Sequence, residues 1–180
     1  TVDISGVALM AASAATAVGE DGRSASATYD RASHALQIDT STLYGGTLGY
    51  TADELVPGGV TYAGSTTAPA DAGTYAVEAA LGLTTEASAN YQAPAPVAGT
   101  LVISPAEVDA AAVAGTYTYD GTAQEPAEAN VTVSAGTLTL GSSEYTVALA
   151  NNVNAGTATL TATGVGNFRG SASATFAIGR

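Results

Sequence analysis

The chain has 180 residues, 46% of them hydrophobic but only 6% aromatic, and its four Lys plus Arg against sixteen Asp plus Glu give a formal net charge of −12. The four cations are Arg23, Arg31, Arg169 and Arg180, and there is no Lys, Cys or Trp. A chain of this charge has no basic stripe to neutralise phosphates, which excludes nucleic acid and direct contact with anionic membranes as expected partners, and it lacks the thiols and amines of disulfides, thiolate metal sites and Schiff bases.

Charged residues make up only 11%, far from the dense charge of disordered chains, so a folded protein is expected. No apolar run approaches the ~18 residues of a membrane span. Thr1 does not open a secretory signal, and the sequence is expected to be a segment of something longer.

Taken in order, Thr1-Val2-Asp3-Ile4 has the alternation of a short strand. The Ala-rich stretch from Val7 to Val18 sets helix against strand; with Ser and Thr interspersed and no polar face, strand is expected. Tyr29-Asp30 follows as a turn, then His34. Residues 44–65, with Tyr44, Tyr50 and Tyr62, form an extra loop or hairpin. Asp71-Ala72-Gly73-Thr74-Tyr75-Ala76-Val77 begins a strand after an Asx turn. Thr100-Leu101-Val102-Ile103 repeats the opening strand, and Thr175-Phe176-Ala177-Ile178 repeats it again. Between these, Tyr119-Asp120 matches Tyr29-Asp30 and Gln124 matches His34. Asn154-Ala155-Gly156-Thr157 matches Asp71 to Thr74, and Asn167-Phe168 matches Asn90-Tyr91. Thr137 to Leu140, Tyr145 to Leu149 and Thr157 to Ala162 each alternate with period two, which suits strands with one face buried. These recurrences imply two homologous domains, 1–104 and 105–180, joined near Ser104-Pro105. The short junction and its Pro suggest a stiff, elongated arrangement, with each domain roughly 35 Å long for strands of about ten residues.

The Asp71 to Val77 stretch resembles the Asp-x-Gly-x-Tyr-x-Cys signature of immunoglobulin domains, with Val77 at the Cys position. That resemblance implies a corner in which the Tyr75 hydroxyl returns to upstream backbone. The fold class expected is therefore all-β, two tandem immunoglobulin-like β-sandwich domains. In the second domain Ala158 stands where the corner Tyr would be.

Tyr119-Asp120-Gly121 with Asn154-Ala155-Gly156-Thr157 and Gly166-Asn167-Phe168 resembles the tandem repeats of large bacterial surface proteins. The first domain resembles the related MBG-type repeat through Tyr29-Asp30, Ser65 to Pro69, Asp71 to Tyr75 and Asn90-Tyr91. Arg31 departs from the usual Gly and Phe168 from the usual Tyr. The resemblance implies an extracellular, cell-surface or wall-attached spacer in adhesin-like proteins, with neighbouring repeats as its partners. It carries over no catalytic residue. Its markers Tyr29, Asp30, Asp71, Gly73, Tyr75, Tyr119, Asp120, Asn154 and Gly156 are turn and core positions.

His34 is the single His, so a Ser-His-Asp triad would need it, but its counterpart Gln124 suggests a polar strand position. Asp53-Glu54 and Glu125/Glu128 are the carboxylate pairs nearest to a glycosidase arrangement, and a solvated surface is the plainer reading. Glu20, Asp21, Asp53 and Glu54 are candidate calcium ligands, although no Asp-x-Asp-x-Asp-Gly loop occurs. An internal Thr–Gln ester would require Gln37, Gln92 or Gln124. Core packing is expected of Tyr29, Tyr75, Tyr119 and Tyr145. Tyr44, Tyr50 and Tyr62 are candidate ligand contacts. The function expected is a non-enzymatic, monomeric stalk that projects a binding region from the envelope, without cofactor. The alternative is an adhesion module that binds a host glycan or protein through residues 44–62.

Overall fold

The computed structural model describes residues 8–39 and 54–180. Among the described residues strand is the dominant regular structure, and the contacts divide the chain into two units between Ser104 and Pro105. The opening repeat strand Thr1-Val2-Asp3-Ile4 lies outside the described residues.

In the first unit the strands are β1 (Ala8–Ala11), β2 (Thr16–Val18), β3 (Ser24–Thr28), β4 (Leu36–Asp39), β5 (Leu55–Tyr62), β6 (Gly73–Leu83) and β7 (Val97–Ser104). A one-turn helix, α1 (Thr85–Ser88), follows β6. Five strands form one sheet in the order β2-β3-β7-β6-β5, with β3 parallel to β7 and the other neighbours antiparallel. β1 and β4 pair antiparallel as a second layer. The Ala-rich stretch thus makes two strands around a turn, because small residues alternating with Ser and Thr give a pleat with one thin apolar face.

Period two decides what lies inside. Val77, Ala79 and Leu81 of β6, Leu101 and Ile103 of β7, and Ala25 and Ala27 of β3 are buried, while Glu78, Val102 and Ser26 between them are exposed. Leu9 of β1 and Leu36 and Ile38 of β4 are the buried side chains of the second layer. The result is a sandwich whose core is made from inner faces.

In the second unit the strands are β8 (Ala106–Glu107), β9 (Ala110–Val113), β10 (Tyr117–Thr118), β11 (Val131–Ala135), β12 (Leu138–Thr139), β13 (Tyr145–Ala150), β14 (Gly156–Gly164), β15 (Phe168–Arg169) and β16 (Ser171–Gly179). The main sheet runs β10-β16-β14-β13, with β10 parallel to β16 and the rest antiparallel. The opposing layer is β12-β11-β9, and β8 pairs parallel with β15. Ala158, Leu160 and Ala162 of β14 with Phe176 and Ile178 of β16 fill one side of the core, and Val133 and Ala135 of β11 fill the other.

Both main sheets therefore place the last strand between an early parallel neighbour and a long antiparallel one. β3-β7-β6-β5 and β10-β16-β14-β13 follow one order. In both units an early strand lies in the opposing layer, where β1 pairs with β4 and β9 with β11. Each unit is thus an all-β sandwich of two layers. Among the described residues, no helix is long and apolar enough to cross a membrane.

Candidate functional site

The marker residues gather where the parallel strand of each unit ends. β3 stops at Thr28, and the Tyr29 N–H donates to the Ser104 carbonyl at 2.9 Å, which extends the pairing by one bond. The Tyr29 ring is buried. The Asp30 carboxylate accepts from the Ala32 N–H at 2.8 Å, and Arg31 between them has a left-handed backbone with φ 68°. In the second unit the Tyr119 N–H donates to the Gly179 carbonyl at 2.9 Å. The Asp120 carboxylate accepts from the Thr122 N–H at 2.9 Å, the Thr122 hydroxyl at 2.7 Å and the Gln124 amide at 2.9 Å. These donors, the Thr122 hydroxyl foremost, hold the Asp120 carboxyl below its ordinary range.

His34 and Gln124 close the same turns. The His34 N–H donates to the Pro69 carbonyl at 2.9 Å, and the Gln124 N–H to the Asn152 carbonyl at 2.7 Å. The His34 imidazole is 0% exposed. Its Nδ1 lies 3.0 Å from the Thr16 hydroxyl, and its Nε2 lies 3.3 Å from the Asp30 carboxylate without a hydrogen bond. Thr16, His34 and Asp30 thus lie in a row, but without a bond between Nε2 and the carboxylate it falls short of the hydrogen-bonded triad that activates a hydroxyl nucleophile. Thr16 is also only 4% exposed, so a substrate has no approach to its hydroxyl. The row ties β2 to the turn after β3 across the interior.

The corner at Asp71 is formed by a side chain. The Tyr75 hydroxyl donates to the Asp71 carbonyl at 2.9 Å, and Gly73 pairs with Ile103. Tyr75 itself is half-buried. Gly156 opens β14 with φ 144° and pairs with Ile178, while Asn154 is exposed in the turn before it. The second unit takes its hydroxyl-to-backbone tie from another place: the Tyr117 hydroxyl donates to the Ala114 carbonyl at 2.7 Å.

Two Tyr expectations are corrected. Tyr119 is 49% exposed and is not a core residue. β10 ends at Thr118, so the Tyr119 backbone reaches Gly179 while its ring leaves the sandwich. Tyr117, two residues earlier, is half-buried, and its ring lies 4.8 Å from that of the buried Phe176. Tyr62 is buried and is not a ligand contact. It ends β5 with its ring inside, and its hydroxyl oxygen accepts from the Leu36 N–H at 2.6 Å, which joins the two layers. Tyr145 is buried. Tyr44, Tyr50 and Asp53 lie outside the described residues.

Of the acidic candidates, Asp21 is engaged within its own turn. Asp21 accepts from the Arg23 and Ser24 N–H groups at 3.0 and 2.9 Å and from the Ser24 hydroxyl at 2.7 Å. These bonds, the Ser24 hydroxyl first, pull its carboxyl down to about 2. Glu20 is exposed beside it, and Glu54 is half-buried just before β5. Among the described residues, no three His, Asp or Glu side chains are grouped to hold a metal ion. Gln37 lies on β4 opposite Met10, Gln92 is exposed, and the Gln124 amide is bonded to Asp120. Glu125 and Glu128 are exposed. Thr16 was not singled out in the sequence, and neither was the groove beside Glu125 and Glu128 described below. An uncharged strand such as Tyr145 to Ala150 was the available signal for the groove.

Strands and layers together define an all-β sandwich protein. The family model of the MBG domain matches residues 50–107. No curated protein and no solved structure matches the chain.

Proposed function

We propose that the chain is a non-enzymatic stalk segment of a bacterial cell-surface, adhesin-like protein, made of two tandem copies of one immunoglobulin-like unit of MBG and Tyr-Asp-Gly type. It lies outside the cell, has neighbouring repeats as its partners, and spaces a binding region away from the envelope. Net negative charge keeps such segments soluble and apart from one another. The observation that carries this reading is the recurrence of one turn lock: Tyr29 on Ser104 with Asp30 and His34, then Tyr119 on Gly179 with Asp120 and Gln124. The MBG match over residues 50–107 supports the surface setting. The reading of residues 44–62 as an adhesive site loses one of its three contacts, because Tyr62 is interior.

Single-molecule pulling of the 180-residue chain tests the proposal. Two separate unfolding events are expected, releasing roughly 350 and roughly 260 Å of chain at about 3.4 Å per residue. One event releasing the whole length at once would mean a single cooperative body and would end the two-copy reading. A glycan or host-protein ligand that binds the chain tightly would turn the spacer into an adhesion module.

A further inference from the structure

β13 is the outer strand of its sheet. It pairs with β14 without a register shift from Tyr145 to Ala150, and among the described residues no strand lies on its other side. Its sequence, Tyr-Thr-Val-Ala-Leu-Ala, holds no charge, no Pro and no Gly. Such an edge is a template for a further strand, and proteins that avoid this place charge, Pro or a bulge there. The outer strand of the first unit is protected in that way: β5 contains Pro57-Gly58-Gly59, and its register shifts between Pro57 and Gly59.

Alongside β13 runs an open groove of roughly 450 Å³. Tyr145, Val147 and Leu149 line it at alternate positions of the strand, with Leu160 of β14 beneath. Val147 remains 46% exposed, while on the same face Tyr145 is buried and Leu149 half-buried. Glu125 and Glu128 border the groove, and no cation lines it among the described residues. Burial raises the Tyr145 phenol, and the Glu128 charge raises it further, so the negative potential reaches inside.

We propose that this groove receives an extended basic peptide segment of a partner protein, added to β13 as a fifth strand of the sheet. Alternate apolar side chains of the segment pack on Val147 and Leu149, and a Lys or Arg faces Glu125 and Glu128. Backbone pairing gives the affinity and the alternate pockets give the selectivity, as in other strand additions. Charge decides among occupants. A second copy of this chain, edge to edge through β13, would bring like carboxylates together. A neutral glycan neither pairs with the backbone nor answers the two carboxylates. The inference goes beyond the stalk reading and does not depend on it.

The test is a titration of the full chain with three ten-residue peptides of alternating Val and Thr, one carrying two Lys, one uncharged and one carrying two Glu. The Lys peptide is expected to bind, and to protect β13 amides from hydrogen exchange. Its affinity is expected to fall about tenfold in the double variant Glu125→Gln/Glu128→Gln, and to be lost in Val147→Lys, which places a like charge on the edge. Should Val147→Lys fail to fold, the isosteric Gln variant at exposed positions still decides. The proposal is overturned if the Lys peptide does not bind, if all three peptides bind alike, or if the Gln variant binds as wild type. It is equally overturned if the edge serves self-association or if a glycan occupies the groove in preference to the Lys peptide.

Discussion

Arg31 and Gly121 occupy the same place in the two units, directly after the Asp that closes the turn, and both have a left-handed backbone, with φ of 68° and 83°. The turn needs that conformation whichever residue supplies it. For an L side chain it costs about 1 kcal/mol, whereas Gly adopts it freely. Arg31→Gly is therefore expected to stabilise the first unit by about 0.5–1 kcal/mol, part of the strain relief being offset by the freer unfolded chain. Gly121→Ala is expected to destabilise the second unit by about 1 kcal/mol. Urea unfolding of the two variants checks both. If Arg31→Gly is neutral or worse, the contacts of the Arg31 side chain outweigh its backbone strain.

The β5–β6 corner carries a second strained residue. Tyr62 and Ser65 exchange two backbone hydrogen bonds, at 2.7 and 2.9 Å, around Ala63 and Gly64 with φ of 47° and 84°. This is a type I′ two-residue turn, which favours Asn-Gly over Ala-Gly because Asn tolerates positive φ. Ala63→Asn should raise stability by about 0.5–1 kcal/mol with no change in fold, read as a shift in the urea midpoint at constant slope. A loss of stability would contradict the turn assignment.

Among the described residues of the first unit His34 is the most deeply buried polar side chain, and its variants should separate packing from bonding. Thr16→Val keeps the shape but removes the partner of Nδ1, at an expected cost of about 1–3 kcal/mol for a polar group left unpaired. His34→Ala also opens a cavity and should cost about 3 kcal/mol or more. His34→Gln places the residue of position 124 into the same turn, where an amide is within range of Asp30, and should cost distinctly less than Ala. Thermal melts rank the three. Equal losses for Gln and Ala would show that the Gln124 arrangement cannot be made in the first unit.

Much of this architecture can be read locally. Thr157 to Ala162 and Thr175 to Ile178 announce β14 and β16 because period two is a property of neighbouring residues. The Tyr75 corner was likewise legible, since Asp71, Gly73 and Tyr75 are all in one short stretch. What escaped depends on where strands stop and which edges stay open. Tyr117 and Tyr119 are two apart and equally eligible for the core, and only the end of β10 at Thr118 separates them. Thr16 meets His34 across 18 positions, a contact that no local pattern marks. Tyr62 stood among other Tyr residues in an inserted region, where a surface role was as natural as its interior bond to Leu36. The groove at β13 follows from a strand that is not there, and no spacing encodes that.

The Asx turns also make stability depend on acid. Asp21 is held at about 2 against an ordinary 3.8, chiefly by the Ser24 hydroxyl and then by the Arg23 and Ser24 N–H groups. Asp120 is lowered by the Thr122 hydroxyl and N–H. With the folded pKa below the unfolded one, the unfolded chain binds more protons as the pH drops. The contribution of each carboxylate is therefore complete above the unfolded value and is lost as the pH falls through the folded one. For Asp21 that window runs from about 4 down to about 2. Asp21→Asn keeps the size but accepts from those donors without a charge, so it should be less stable than wild type near neutrality. Denaturant unfolding at several pH values between about 6 and about 2 should show the gap between the two proteins narrowing as the pH falls. A gap that stays constant over that range would mean that the carboxylate charge contributes nothing and that shape alone holds the turn.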